Sequence, residues 1–357
     1  MEAVLADNKK EQKRFLDFRK KLYKDRGIFV DNSYFMIKEV FAGKTSFIRD
    51  KKIYPLNIVR DGEILCQGIV VYARDLPEYI QICFFESLEN NEQAVSLLID
   101  KAVCFGRENK CGRLVAGLNG HLNYGLGFLN SHYGEINSFS AAANPEFYNF
   151  YFRDAGFDVI KLNSYFIEAV DDRLDRYKGV IEKLNRNYEF RRFDKKKFDY
   201  YSRIYTDLNN QAFEGHRYYF KRNYEEDREM LKELFLFMKE DSLIFAFDGD
   251  RPVAFIMWYP DFNELAKGGE IFGAKHFFRN ILYNRKIRAA KIGVLEEYRK
   301  AGLPMGLIHQ VFLSLKNYGT DRVETSWILD ENKDSNSFCQ ALCDREYKEY
   351  AVYEKAL

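Results

Sequence analysis

The sequence has little of what marks a metal-binding, nucleic-acid-binding or membrane-spanning protein. Its six cysteines form no C-x-x-C pair and have no histidine beside them at metal-ligand spacing, which indicates reduced thiols and no metal site. The net charge is only +1 with both signs interspersed, so we expect no nucleic-acid partner. No apolar run approaches the roughly eighteen residues that span a bilayer. A charged segment, Asn8 to Lys21, stands where a signal peptide would have its apolar core, so we expect a cytoplasmic protein.

The length and the alternation of helical and strand-like segments predict two domains. A chain of 357 residues is long enough for two cores. Strand-like Ile53–Arg60 turns through Asp61-Gly62-Glu63 into Ile64–Ala73, a predicted hairpin, and a similar scheme follows after about residue 171. We therefore expect an α+β fold with domains at 1–170 and 171–357. Each should be a mixed, mostly antiparallel twisted sheet flanked by helices.

The segment 287–336 carries the most specific signal in the chain. It predicts a strand, a tight turn with the sequence RKAGLPMG, a helix over 305–317 and a second strand over 322–329. The free N–H groups and the dipole of a helix start attract anions. Gly302 lets the backbone approach a ligand or adopt positive φ, and Arg299 and Lys300 add positive charge. The turn therefore predicts a diphosphate site.

This order of elements resembles the GNAT (GCN5-related N-acetyltransferase) superfamily. There a turn of the form R/Q-x-x-G-x-G/A holds the pyrophosphate of acetyl-CoA, and an N-x-x-A/S step after the next strand lies against the pantetheine arm. The closing segment Tyr347–Lys355 resembles that of a bacterial subset of long, tandem GNAT-like proteins. Pro304 departs from the turn pattern and removes one donor N–H.

The resemblance implies that acetyl-CoA or another acyl-CoA is the co-substrate, with no metal. It implies cofactor contacts from the strand end, the turn and the step after the second strand: Ile292, Gly293, Val294, Leu295, Arg299, Lys300, Ala301, Gly302, Leu303, Met305, Gly306, Asn332 and Ser335. The first half has no such turn. Its corresponding segment, Phe85–Glu92, has three carboxylates, no glycine and no basic residue, and would repel a diphosphate. The resemblance implies that this half shapes the acceptor pocket or stabilises its neighbour.

The implied function is a CoA-dependent N-acyltransferase acting on a small amine or an amino-acid-like acceptor. Such transfer needs a base for the acceptor ammonium and a donor for the leaving thiolate. Glu324 could be the base or simply an exposed strand carboxylate, and Tyr350 or Tyr353 could be the acid or a core residue. Asp261 and Asn263, at a strand exit, could contact the acceptor.

Several alternatives stay open at this stage. The long loop Gly112–Gly134, with His121 and Asn123, either walls the acceptor site or is a plain surface loop. The same fold serves aminoacyl- or acyl-carrier-dependent transferases, which Pro304 mildly favours and the near-neutral charge disfavours where tRNA is the donor. A non-catalytic ligand-binding protein is the third interpretation.

Overall fold

The computed structural model describes residues 1–236 and 238–357, without the side chains of residues 281 and 282. The described residues form ten α-helices: α1 Lys9–Arg26, α2 Tyr34–Ala42, α3 Glu92–Glu108, α4 Phe147–Asp154, α5 Lys178–Asn187, α6 Phe198–Ala212, α7 Tyr224–Leu234, α8 Ala274–Tyr283, α9 Leu303–Tyr318 and α10 Lys333–Leu342. They also form sixteen strands: β1 Glu2–Leu5, β2 Val30–Asp31, β3 Lys51–Arg60, β4 Glu63–Ala73, β5 Tyr79–Ser87, β6 Arg113–Ala116, β7 Phe128–Leu129, β8 Asp158–Ile167, β9 Glu189–Arg192, β10 Leu243–Asp248, β11 Arg251–Pro260, β12 Glu270–Ile271, β13 Lys286–Val294, β14 Arg322–Thr325, β15 Ile328–Leu329 and β16 Arg345–Ala356.

Fourteen of these strands form one continuous mixed sheet. Its main order is β1-β3-β4-β5-β6-β16-β8-β14-β13-β11-β10-β9, with β7 beside β16 and β15 beside β8. Within it, β5 runs parallel to β6, and β13 runs parallel to β14, while the other ladders are antiparallel. The two parallel pairs occupy matching places in the two halves. The α+β class and the mostly antiparallel sheet are as the sequence predicted.

The hairpin β3–β4 shows how local residues produce this sheet. Asp61 and Gly62 have φ of 51° and 83°. Positive φ at both central residues is the geometry of a two-residue hairpin turn, and Asp-Gly is a favoured pair for it. The strands on either side pair from Lys51 with Ala73 to Arg60 with Glu63, as predicted.

The two halves of the chain exchange strands at the centre of the sheet. The last strand, β16, lies between β6 and β8 of the first half, pairing Tyr353 with Ala116 on one side and with Val159 on the other. In turn β8 pairs with β14 of the second half, where Glu324 lies opposite Phe166. The sheet of residues 1–170 is therefore completed by residues 345–356.

The predicted strand over 322–329 is wrong as a single element, because the structure divides it into β14 and β15. The Ser326 N–H donates to the Ala289 carbonyl at 2.8 Å, and beyond this contact the chain leaves β13. It continues as β15, where Ile328 pairs with Asn163 of β8. The register between β13 and β14 extends only from Lys286 to Ala289. One backbone edge of β13, over residues 290–294, is therefore left without a β14 neighbour.

Helices pack in pairs against the sheet of the second half. Helix α9 contacts α5, and α6 contacts α7, while both α6 and α9 also contact β11 and β13. The segment Val253–Tyr259 of β11 is buried throughout. A continuous apolar run is what a strand covered on both faces requires. No helix in the described part of the chain is both long and apolar enough to cross a bilayer.

Candidate active site

A cavity of about 800 Å³ lies where the two halves meet, beside the open edge of β13. Residues 289–294 of that strand line it, together with residues 325–329 that turn away after β14. Loop residues 122–127 of the first half form another part of its wall. The divergence of β13 from β14 thus gives a groove in which a ligand can reach unpaired backbone N–H and C=O groups.

Six of the residues predicted to contact the cofactor line this cavity: Ile292, Gly293, Val294, Arg299, Asn332 and Ser335. Leu295 is buried just beyond the strand, where its N–H donates to the Val253 carbonyl at 3.0 Å. Lys300 and Ala301 are exposed on the turn. Leu303 is buried in the core. The structure therefore brings the strand, the turn and the start of α10 to one groove, while some predicted contacts serve packing instead.

The turn before α9 has the geometry expected of an anion site. Gly302 has φ 78° and ψ 10°, in the left-handed region where a side chain would be strained. A Cβ at Gly302 would have its nearest neighbour at 4.0 Å, the Cγ1 atom of Val180, so the backbone is open to a ligand. Pro304 follows in the first turn and lines the cavity.

Two other positions of the turn are already engaged. The Met305 N–H donates to the Gly302 carbonyl at 3.0 Å. A Cβ on Gly306 would lie 2.6 Å from the ring of Phe190, so this glycine allows α9 to pack closely on the core. With Pro304 lacking an N–H, anion binding here depends on the remaining donors, the helix dipole and the nearby cations.

Arg299 is the cation best placed for a phosphate. It is exposed, lines the cavity, and its guanidinium donates to the Ala212 carbonyl at 3.3 Å, at the end of α6. Burial and the charge of Arg299 lower the pKa of His216 in the same wall. At neutral pH His216 is therefore uncharged and does not compete with Arg299 for an anion.

Asn332 and Ser335 are joined at the start of α10. The Asn332 side-chain oxygen accepts the Ser335 N–H at 3.2 Å and caps the helix. Both residues line the cavity opposite β13. The cap holds this wall of the groove in place.

Glu324 is fully buried. It is therefore not an exposed strand carboxylate, and it does not lie in the cavity as the base would. Its carboxylate accepts from Ser138 at 2.5 Å and from Lys286 at 3.0 Å, and it does not line the cavity. Burial alone opposes its ionisation, but the charges of Lys348 and Lys286 outweigh this and lower its pKa to about 2. A carboxylate held this firmly in the ionised form is a poor proton acceptor near neutral pH.

Tyr350 and Tyr353 are buried in β16 and do not line the cavity. The Tyr353 hydroxyl donates to Asn149 Oδ1 at 2.8 Å in the core of the first half, and burial raises its pKa to about 12. Burial also raises the pKa of Tyr350. The structure does not bring either hydroxyl to the groove.

Asp261 and Asn263 fix a cavity wall without lining it. Asp261 accepts the Phe139 N–H at 2.7 Å and pairs with Lys286 at 2.8 Å. The Asn263 amide donates to the Asn137 carbonyl at 2.9 Å. Both residues therefore tie a first-half loop to β11, and Phe139 of that loop faces the cavity.

Lys291 is the cavity residue that the sequence interpretation missed. It lies on β13, and its ammonium donates to Asn123 Oδ1 at 2.5 Å and Asn209 Oδ1 at 3.0 Å. Burial lowers its pKa to about 7. A lysine inside an apolar strand segment, AAKIGV, was the available signal. Its partner Asn123 comes from the long first-half loop, which therefore does wall this cavity.

At the equivalent place in the first half, buried ion pairs hold the end of β5, where Phe84, Phe85 and Glu86 also line the cavity. Glu86, in the segment predicted to repel a diphosphate, is buried and pairs with Arg19 at 2.9 Å and Arg26 at 2.8 Å. Tyr148 also donates to Glu86 at 2.8 Å. Here a side-chain ion cluster occupies the end of β5.

Within the described ranges there is no group of three or more His, Cys, Asp or Glu residues able to hold a metal ion. The six cysteines are free.

Comparison with known proteins shows which sequences and structures this chain resembles. No family model matches the chain. Protein YghO of Escherichia coli (strain K12) is 24% identical over 191 residues, which make up 50% of this chain and 49% of that protein. The match thus spans about half of the length of this curated relative.

The solved structures agree over more of the chain. A tandem GNAT protein from the clavulanic acid biosynthesis pathway matches 99% of this chain and 98% of its own, with TM-score 0.56 and 11% identity. A GCN5-related N-acetyltransferase from Kribbella flavida matches with TM-score 0.51 and 10% identity over 99% of this chain and 72% of its own. A GCN5-related glucosamine N-acetyltransferase region of a fungal multi-domain GH3 β-N-acetylglucosaminidase has TM-score 0.52 and 14% identity, over 86% of this chain and 33% of that one. The chain therefore has the tandem GNAT-like fold that the sequence predicted.

Proposed function

We propose that this protein is an acyl-CoA-dependent N-acyltransferase that acts on a small amine or an amino-acid-like acceptor. The observation that carries the proposal is the open edge of β13 beside the Gly302 turn, whose flanking residues Arg299 and Pro304 line the same cavity. In this proposal the turn and Arg299 hold the diphosphate, and the edge of β13 holds the pantetheine arm. We further propose the domains 1–170 and 171–357, with the cofactor site in the second.

The residues present fit a CoA thioester. The unpaired edge of β13 offers backbone hydrogen bonds to an extended amide chain, as a strand partner would. The bound thioester supplies an activated acyl group, so the protein's contribution is to align the amine and to polarise the carbonyl with a backbone N–H. The acceptor then approaches through the part of the cavity walled by the first half.

Two other functions have support in particular features. Pro304 and the engaged Met305 N–H reduce the donors of the turn, which favours a donor other than free CoA, such as an acyl carrier or a charged tRNA. Glu324, Tyr350 and Tyr353 lie outside the cavity lining, which favours ligand binding without catalysis.

The test is thermal unfolding with acetyl-, malonyl- and long-chain acyl-CoA. A ligand at ~100 times its dissociation constant should stabilise the protein by about 2.7 kcal/mol. Gly302→Glu should abolish this stabilisation, because it places a carboxylate against the diphosphate.

A matched control is available at the other end of the same helix. Gly319 also has positive φ, 64°, and no atom lies within 4 Å of the position that a Cβ would take there. Gly319→Glu introduces the same charge and a similar backbone strain, and should keep the response to acyl-CoA. Equal responses of the two variants would contradict the assigned turn, and no response of the wild type to any donor would contradict the proposed donor class.

A further inference from the structure

A cationic corner of the cavity is left without an anion. Lys291 points from β13 towards α6, and its neighbours are neutral: the two asparagine oxygens already described and the ring of Phe213, whose centroid lies 5.3 Å from the ammonium. Within residues 1–236 and 238–357, no carboxylate lies within ion-pair distance of Lys291. Lys291 is half-buried, and an ammonium withdrawn from water without a counter-charge is unfavourable unless it loses its proton or binds an anion.

Asp227, whose charge raises the pKa of Lys291, is committed to another cation, and so is the adjacent Glu226. Asp227 pairs with Arg222 at 2.6 Å, and Glu226 pairs with Lys51 at 3.4 Å. Each of these pairs balances its own charge. They leave the positive charge of Lys291 facing the cavity.

The orientation of Asn209 is fixed by a further contact. Its amide nitrogen donates to the Tyr219 hydroxyl at 2.8 Å, so its oxygen faces Lys291. Asn123 likewise turns its oxygen to Lys291, and its amide nitrogen then has no hydrogen-bond partner in the described structure although it is buried.

A second unsatisfied group lines the same cavity. The hydroxyl of Tyr205, one helical turn before Asn209 on α6, is also buried and has no partner among the described residues. Buried donors are nearly always satisfied in folded proteins, so their presence in a cavity wall indicates groups that a ligand satisfies. Lys291 and Asn123, which contact each other, offer donors from an ammonium and an amide, which suit the oxygens of a carboxylate.

We propose that Lys291 and Asn123 form a carboxylate-binding subsite, so that the acceptor is an amine that also carries a carboxylate, as an amino acid does. The assignment of this ligand as the acceptor rests on the proposed function, while the subsite itself does not. The acceptor's ammonium would be repelled by Lys291, so its amine end is directed away from this corner, towards the rest of the groove. One half of the chain supplies the lysine and the other supplies the amide.

The experiment compares propionate with propionamide, which has nearly the same shape but no charge. The protein is labelled with 13Cε-lysine, and the Lys291 signal is identified by its loss in Lys291→Met. Propionate should raise the pKa of Lys291 by about 1 or more, because an opposite charge within hydrogen-bond distance favours the ammonium. Propionamide should leave it unchanged.

Asn123→Asp provides the sharpest variant, because it builds a carboxylate into the subsite at nearly constant size. The pKa of Lys291 should be raised in this variant without any ligand, and affinity for propionate should fall about tenfold or more. Lys291→Met should lose propionate binding to a similar extent. Asn123→Asp should keep the thermal response to acetyl-CoA, since Asn123 belongs neither to the Gly302 turn nor to the edge of β13.

Acyl transfer then identifies the ligand as the acceptor. Amino acids should be better acceptors than their decarboxylated amines, comparing alanine with ethylamine, leucine with isoamylamine and phenylalanine with phenethylamine. Equal effects of propionate and propionamide on Lys291, or unchanged propionate binding in Lys291→Met, would overturn the subsite. An absence of acyl-CoA binding with the propionate effect intact would overturn only the proposed function. Loss of transfer to all amines alike in Lys291→Met would replace the subsite by a role as proton acceptor.

Discussion

At the scale of single residues, burial decides which charged groups can react. Glu324 and Lys291 both lie inside the protein, but Glu324 is surrounded by cations while Lys291 faces neutral amides. Glu324 is therefore held in its ionised form, whereas the pKa of Lys291 lies near neutral pH. Of the two, Lys291 has the protonation equilibrium that a ligand in the cavity can change.

Glu324→Gln should destabilise the protein by about 3 kcal/mol at pH 7, because it leaves Lys286 buried without part of its counter-charge. The exposed pair of Glu168 with Arg345 gives a control, and Glu168→Gln should change stability by less than about 0.5 kcal/mol. Denaturant unfolding measures both. If Glu324 is structural, kcat for acyl transfer should persist in the folded variant, and a loss of kcat with unchanged stability would show instead that it is the base.

The loss of stability caused by Glu324→Gln should depend on pH. The folded-state pKa of Glu324 is about 2, below the ordinary value of 4.5, so its contribution is fully present above pH 4.5 and is lost as pH falls towards 2. The difference in unfolding free energy between wild type and Glu324→Gln should therefore shrink across that range. A constant difference would contradict an ionised Glu324.

The sequence could predict an anion site at Gly302 and Arg299 because a helix start is a local feature. Lys291 could not be assigned in the same way. Its environment depends on Asn123, which is 168 residues away, and on a loop of the other half. Glu324 was misplaced for the same reason, because its partner Ser138 is 186 residues away.

At the scale of elements, the start of α9 would determine how tightly a diphosphate is held under the proposed function. Gly302 and Pro304 set its direction, Gly306 lets it approach Phe190, and Met305 already bonds to Gly302. Packing and anion binding therefore compete for the same few backbone groups. Glycine spacing alone could not separate these two roles, because both use residues without a side chain.

Pro304→Ala should strengthen acyl-CoA binding about three- to tenfold, because it restores one N–H that a phosphate oxygen can accept. Titration calorimetry measures the change. Pro145→Ala, before α4 of the first half, is a matched control and should leave the affinity unaltered. Unchanged affinity in Pro304→Ala would show that the phosphates do not reach the second residue of α9.

The split of the predicted 322–329 strand is an element-scale feature that opens the groove. Strand β14 pairs with both β13 and β8, but beyond Ser326 the chain keeps only β8 as its partner. Trp327 lines the cavity at this point. Choice of partner is a tertiary property, and local pattern does not encode it.

At the scale of the whole molecule, the two halves are joined by the exchange of β8 and β16. Cleaving the chain at residue 170 would remove β16 from between β6 and β8 and leave both edges unpaired. The repeat of elements was visible in the sequence, but the exchange of strands between the halves was not. Each half has a closing strand of its own, β8 or β16, and the sequence does not show that β16 enters the sheet of the first half.

We predict that residues 1–170 do not fold alone, and that co-expression with residues 171–357 restores a native complex. Circular dichroism and the dispersion of amide signals in an NMR spectrum measure this. The full chain should unfold in one transition by near- and far-ultraviolet signals. A dispersed spectrum and an independent cooperative melt for 1–170 would contradict the prediction.

The exchange of strands between the halves also has a consequence for folding during translation. Strand β16 comprises the 12 residues Arg345–Ala356, which are translated long after β6 and β8. Until they leave the ribosome, β6 and β8 have no partner between them, although the rest of the first half has long been made. The first half therefore cannot complete its sheet when its own residues have been translated, and the nascent chain keeps an open place between β6 and β8 until β16 has been made.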